Sequence, residues 1–551
     1  MTSLLSDILH QIFENYQNDF KSLHSCLLVN RLWCKTVIPI LWRNPWKVYN
    51  NNKNNNNRNN NNNNNNNNYY YSLILFNLII SFLSKESKEF LINRGVILNS
   101  SITPPLFDYI EFCKVLDFNI IDNIINEGYE GFIINEGFTI NEEGFIVNEG
   151  IITTTTNVNE GFPFPVNEVN EEGFTINEEG YEEIKKVNQR IDEYYQLYLI
   201  RQEICKLFVN RCSKIKHLSI TTIMPHPLPY LPGSNLLFSH LTQLSCNPFN
   251  DKSIYFGIAQ ICFNIKNLII FNFDKDNIGL AKLIEVQNNL ESLECQSNIF
   301  HHNLLNFSFI GNSLITQKNS LKHLNVINNI CISPKIIYSL INLESLKYGI
   351  EDSNVDERIT DEYSYPLFSA KFPKLQHLTI NSCPSFRTAS NLISQTNGQL
   401  RKIYIGYSNY DFDYAGTLIN SIAKNCPLLE SLSICFFRNY RELGKLLNSC
   451  KHLQNISIRI LAFSEDIELL FNLIGSIDLN DLYIIKLDGK LIFSDIILEN
   501  FLEKWRGRKP LIFYTIKAEF INEKHENIFN RFKEEGVLKK YVNEVDWLLD
   551  D

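Results

Sequence analysis

The sequence predicts an α/β chain in which a small all-helical module precedes a long solenoid, each solenoid unit supplying one strand and one helix. Three observations predict it. A Leu-x-x-Leu-x-Leu-like pattern recurs ten times, with anchors from Ile215 to Leu453. The first 46 residues carry apolar positions at helical spacing and three of the five tryptophans, Trp33, Trp42 and Trp46. An asparagine tract and an acidic repeat separate these regions, and neither has the composition of a packed core.

The helical module is placed at residues 1–48. In "SDILHQIFENY" the residues Ile8, Leu9, Ile12, Phe13 and Tyr16 share one side of a helix, with Ser6 as its expected N-cap. Asp19 is a second cap candidate ahead of Phe20, Leu23, Leu27 and Leu28. A third piece carries Trp33, Val37, Ile38 and Leu41. Forty-odd residues make a marginal core, so the aromatic surplus is expected to complete its burial against another protein.

Residues 49–68 are expected to be a disordered linker, because asparagine broken only by Lys53 and Arg58 buries nothing to offset the entropy of ordering. Residues 69–125 read as a helical connecting segment. Its longest apolar run, Tyr69 to Leu83, spans 15 residues, short of the roughly 18–20 needed to cross a bilayer. Residues 126–183 hold 14 Glu and no Asp, Lys or Arg. The unit Asn-Glu-(Glu)-Gly-aromatic recurs there at irregular steps, and each glycine costs roughly 1 kcal/mol in a helix, so a disordered acidic loop is expected.

The solenoid is placed at residues 184–520. Its anchors are Ile215, Leu241, Ile265, Leu290, Leu321, Leu343, Leu375, Leu400, Leu429 and Leu453, at steps of 22 to 32, the pattern of leucine-rich repeats. Three and five residues after each anchor, all twenty positions are apolar or tyrosine; four after it, eight of ten are neither aliphatic nor aromatic. Such alternation makes a strand with one face buried. "GLAKLIEVQNN" and "AGTLINSIAKN" supply helices between strands. "NEKHENIFNRFKEEG" reads as a capping helix within residues 521–551.

Cys212, Cys262, Cys426 and Cys450 stand three before an anchor, Cys246 and Cys295 five after one, and Cys383 eight after. Cysteines in register are core filler. Thirteen cysteines without a secretory leader imply a reducing compartment, cytoplasmic or nuclear, and no Cys/His set has metal-ligand spacing. The net charge of −10 is local: without residues 126–183, 47 acids face 51 bases. No basic-aromatic cluster argues for nucleic acid, and no nucleophile elbow or phosphate loop argues for an enzyme, a metal or a cofactor.

The segment "LLSDILHQIFENYQNDFKSLHSCLLVNRLWCKTVIPILWRNPW" resembles an F-box, through Leu5, Ile8, Leu9, Ile12, Phe13, Asp19, Leu23, Val29, Arg31, Trp33, Leu41, Trp42 and Arg43, with Ser6 where the family carries proline. The resemblance implies docking on the Skp1-type adaptor of an SCF-type cullin-RING ubiquitin ligase through Leu5, Ile8, Leu9, Ile12, Phe13, Leu23, Leu28, Val29 and Trp33. The chain then reads as a non-catalytic F-box and leucine-rich-repeat receptor that presents a protein target for ubiquitination. The outward strand positions that would line the concave face include His217, Gln243, Phe271, Glu294, His323, Asn325, Lys347, His377, Asn381, Tyr404 and Arg459. The alternative is a repeat scaffold that binds a partner without any ligase.

Overall fold

In the computed structural model the chain divides into two compact units, Met1–Leu241 and Thr242–Asp551. The structure describes residues 2–47, 49, 65–98, 105, 107–135, 139–140, 146–147, 178–296, 308–327, 332–349, 367, 369–381, 385–406, 412–460, 467–489, 491–516 and 521–544.

The first unit opens with three helices, α1 (Thr2–Glu14), α2 (Phe20–Leu27) and α3 (Arg31–Leu41). Asp19 caps α2 by accepting the Ser22 N–H at 3.1 Å, and Asn30 caps α3 by accepting the Trp33 N–H at 3.0 Å. α1 runs through Ser6 instead of starting after it, since Leu4 and Leu5 extend the helix at little cost. Leu9, Phe13, Leu23, Val37 and Ile40 form the core of this bundle.

The same unit continues with α4 (Asn65–Ser81), α5 (Lys85–Asn93), β1 (Val115–Asp117), α6 (Phe118–Asn135), the antiparallel pair β2 (Thr139–Ile140) and β3 (Ile146–Val147), α7 (Glu178–Arg211), β4 (His217–Ile220) and α8 (Ser234–Phe238). Three expectations change here. Asn65 to Asn68, assigned to the linker, belong to α4, because a helix nucleated by an apolar run extends at small cost per residue; residues 50–64 of that tract lie outside the described residues. The connecting segment at 69–125 contains a strand: β1 pairs parallel with β4, Leu116 opposite Leu218. Cys113, Leu116 and Phe118 are buried and repeat the anchor, three-after and five-after spacing.

The third change is in the acidic repeat. Its ends lie in α6 and α7, and β2 and β3 fall inside it; residues 141–145 and 148–177 lie outside the described residues. Ile124, Ile125 and Tyr129 of α6 are buried. The glycine counted against a helix is what lets this one pack: a Cβ at Gly128 would lie 2.4 Å from Phe76 Cβ and 2.8 Å from the Ser72 carbonyl oxygen. Close approach to α4 and burial of three large side chains outweigh a propensity cost of about 1 kcal/mol.

Among its described residues the second unit holds twelve strands: β5 (Gln243–Cys246), β6 (Asn267–Ile270), β7 (Ser292–Cys295), β8 (His323–Ile327), β9 (Ser345–Gly349), β10 (His377–Ile380), β11 (Lys402–Ile405), β12 (Ser431–Phe436), β13 (Asn455–Ile460), β14 (Ile484–Asp488), β15 (Leu511–Ile516) and β16 (Leu538–Glu544). Each pairs parallel with the next in chain order. Parallel neighbours need a crossover, supplied by helices such as Lys252–Ile261, Ile278–Glu285 and Phe412–Asn425. The chain is thus an α/β protein of alternating strand–helix repeats, solenoid-like in this unit. Across both units, the ten anchors and their three-after and five-after partners are all at most 3% exposed.

The cysteine register has a polar variant. Cys212, Cys246, Cys262, Cys295, Cys426 and Cys450 are buried, and burial pushes the Cys246 and Cys426 thiols up to about 12 and those of Cys262 and Cys450 up to about 11, so they stay protonated; Cys383 lies outside the described residues. Gln287 takes the same slot before Leu290. Its Oε1 accepts the Ile265 N–H at 2.8 Å and its Nε2 donates to the Cys262 and Leu283 carbonyls at 3.0 and 2.8 Å. The expected closing helix, Glu523–Glu534, is followed by a strand, β16, and residues 545–551 lie outside the described residues. Leu538 is buried and Tyr541 stacks on Phe529 at 3.8 Å, so β16 covers apolar surface that the helix alone leaves open.

Candidate interaction surfaces

α1 has two apolar rows, Leu9 with Phe13 and Ile8 with Ile12, offset by one residue, and Tyr16 follows its end. Leu9, Phe13 and, from α2, Leu23 are buried in the bundle, and Trp33 packs edge-to-face on Phe13 at 5.1 Å. Leu9, Phe13 and Leu23, expected to meet an adaptor, hold the module together instead, while Trp33 is half-buried against them. Ile8, Ile12, Leu28 and Val29 are 47, 45, 79 and 55% exposed. The Leu5 side chain lies outside the described residues. Both rows of α1 are equally apolar in sequence; packing alone assigned one to the core.

The end of α3 packs on the rest of the first unit. Trp42 stacks on Tyr109 at 4.6 Å. Trp46 is buried, meets Phe208 edge-on at 6.0 Å, and donates its Nε1–H to the Val115 carbonyl at 2.8 Å. The Arg43 guanidinium bonds the Glu14 carboxylate of α1 at 3.0 Å. The Arg43 carbonyl accepts the N–H groups of Lys114 and Val115 at 2.9 and 3.2 Å, as the Lys114 carbonyl in turn accepts those of Lys216 and His217. The residues after α3 therefore serve as the rung before β1. Trp46 is thus buried by the chain's own first unit and Trp42 is half-buried against it, so this part of the aromatic surplus packs within the unit and the bundle is joined to it by more than a linker.

The second surface is the sheet face opposite the buried strand positions. His217 lies on β4 of the first unit. Gln243, Glu294, His323, Asn325, Lys347, His377, Tyr404 and Arg459 lie on strands of the second unit, while Phe271 and Asn381 follow the ends of β6 and β10. Register places Glu294, Asn325 and Lys347 in one row that continues through Thr379 to Tyr404. Asn381 is buried and its N–H donates to the Tyr348 carbonyl at 3.1 Å, so it is not offered to a partner. Burial, with Lys216 and Lys402 respectively, pushes His217 and His377 below the ordinary histidine range, leaving both neutral at pH 7.

The face extends beyond the residues expected from sequence. Lys486 and Asp488 on β14, Tyr514 on β15 and Lys540 on β16 continue it. Arg459 donates from Nε to Asp488 Oδ2 at 2.6 Å. The signal was present: "LYIIKL" from Leu482 carries the anchor spacing one step past Leu453.

No helix among the described residues is long and apolar enough to cross a membrane. No family model matches the chain and no curated protein matches it. Among solved structures, "Crystal structure of Rad7 and Elc1 complex in yeast" aligns over 68% of this chain and 97% of that one, with 16% identity and a TM-score of 0.37.

Proposed function

We propose that the chain is a non-catalytic receptor: its N-terminal bundle docks on the Skp1-type adaptor of an SCF-type ubiquitin ligase, and its outward sheet face holds a protein target. The observation that carries this reading is the exposure of Ile8, Ile12, Leu28 and Val29 on a bundle whose own core is already closed. Apolar side chains left outside a completed core are the anchors an adaptor would bury. The reading also draws on the F-box resemblance of the same segment. Tethering adaptor and target on one chain raises their effective concentration for transfer.

The test is co-purification of the adaptor with full-length chain carrying Ile8→Asp and Leu28→Asp. Capture is expected to fall at least tenfold while folding is unchanged, since both side chains are solvent-facing. Unchanged capture would leave the repeat scaffold without a ligase as the better account. Point substitutions are needed because deleting Met1–Trp46 would also uncover Tyr109 and Phe208.

A further inference from the structure

Charge is unevenly distributed over the sheet face of the second unit. On β5 to β8 the outward strand positions carry one carboxylate, Glu294, and no Lys or Arg. On β11 to β16, among the described side chains, they carry Lys402, Arg459, Lys486 and Lys540 against Asp488.

One of these cations, Arg459, lines a small depression in the face. Parallel register sets Tyr404, Ser433, Ser457 and Lys486 in one row and Cys435, Arg459 and Asp488 in the next. Tyr404, Ser433, Ser457, Arg459 and Asp488 line a shallow depression there. The Arg459 and Asp488 side chains are 30 and 15% exposed. Asp488 takes only the Nε–H, and among the described residues the two terminal amino groups of Arg459 make no hydrogen bond. Beside the cleft the Lys486 and Lys540 ammonium groups each lie 5.5 Å from the centroid of the Tyr514 ring.

We propose that this half of the sheet face binds an extended acidic peptide, one carboxylate accepting the free edge of the Arg459 guanidinium and the hydroxyls of Ser433 or Ser457, and further carboxylates pairing with Lys486 and Lys540. The inference rests on the reading that the sheet face holds a protein target, and names the chemistry of that target. A planar guanidinium with two free amino groups matches a carboxylate bidentately. Asp488 already supplies one negative charge at the cleft, so a monoanion meets less repulsion there than a phosphate dianion. Adjacent strands are about 4.8 Å apart, and same-side residues of an extended peptide about 6.6 Å, so acidic residues on one side of a peptide crossing the sheet come within reach of the cations on β13, β14 and β16.

The experiment uses the full chain and a fluorescein-labelled twelve-residue peptide with glutamate at alternate positions, read by anisotropy. The same peptide with glutamine, a phosphoserine version and an oligouridylate of equal length are the comparators. Binding is expected for the glutamate peptide, at least tenfold tighter than for the glutamine peptide, and weakening with salt. Lys540→Gln, a surface change, and Lys486→Gln are each expected to weaken it several-fold; Arg459→Gln should abolish it and Arg459→Lys restore part. Equal binding of glutamate and glutamine peptides, or tighter binding of the phosphoserine peptide or the oligonucleotide, would overturn the proposal. Failure of the receptor reading shows separately, as unchanged adaptor capture by the Ile8→Asp, Leu28→Asp chain, whatever the peptide does.

Discussion

Replacing Trp46 by alanine tests whether the N-terminal bundle is part of the first unit or merely attached to it. Trp46 is 3% exposed and lies against Phe208. Truncating a buried tryptophan costs about 3–5 kcal/mol through lost transfer energy and the cavity left behind. The lost indole hydrogen bond adds little, because the Val115 carbonyl also receives the Cys113 thiol and is not left unpaired. Two units need not unfold together, so a single unfolding midpoint would be ambiguous. Hydrogen exchange of the full chain, read on fragments covering residues 40–47, 108–118 and 203–212, reports the local effect. A loss near 3 kcal/mol corresponds to exchange about a hundredfold faster in all three fragments. Trp46→Phe, which keeps an aromatic ring there, should lose about 1–2 kcal/mol. Unchanged exchange at 108–118 in Trp46→Ala would refute the reasoning, and with it the claim that Arg43 to Trp46 form the rung before β1.

Gly128→Ala, favourable by about 1 kcal/mol in an isolated helix, is expected here to destabilise by about 1–3 kcal/mol, because the new Cβ must displace Phe76 or the Ser72 carbonyl; urea unfolding followed by circular dichroism gives the sign. Gln287→Leu, although more apolar, should cost about 1–3 kcal/mol by leaving the buried Ile265 N–H without its acceptor, seen as a lower unfolding midpoint of the second unit. The hydrogen bond from Arg43, opposed by burial, holds the Glu14 carboxyl below its ordinary value of 4.5. A lowered folded-state pKa stabilises above the unfolded value and is lost as pH falls through the folded one. Both side chains are about a third exposed, so screening keeps the effect below about 1 kcal/mol. Chemical shifts of the Arg43 side chain should therefore change as pH falls below about 4.5, where the carboxylate it pairs with is lost.

Periodicity made the repeats legible because each strand encodes its own burial. The spacing of Leu290, Leu293 and Cys295 suffices to predict one inward face, and local caps such as Asp19 are read from a few neighbouring residues. Register across strands followed, since one-residue slips would turn every buried side chain to solvent. What the sequence by itself determined is therefore the repeating unit, its inward face and its cysteine filler. Which of two equally apolar rows of α1 closes the bundle, whether Gly128 breaks a helix or admits a neighbour, and where Trp42 and Trp46 find their burial were decided only by tertiary structure. Each depends on atoms far away in the chain, Val37, Phe76, Tyr109 and Phe208 among them. The pairing of Arg459 with Asp488 and the gathering of Lys486 and Lys540 about Tyr514 are likewise products of stacking, because residues some 29 apart become neighbours only when one repeat is laid on the next.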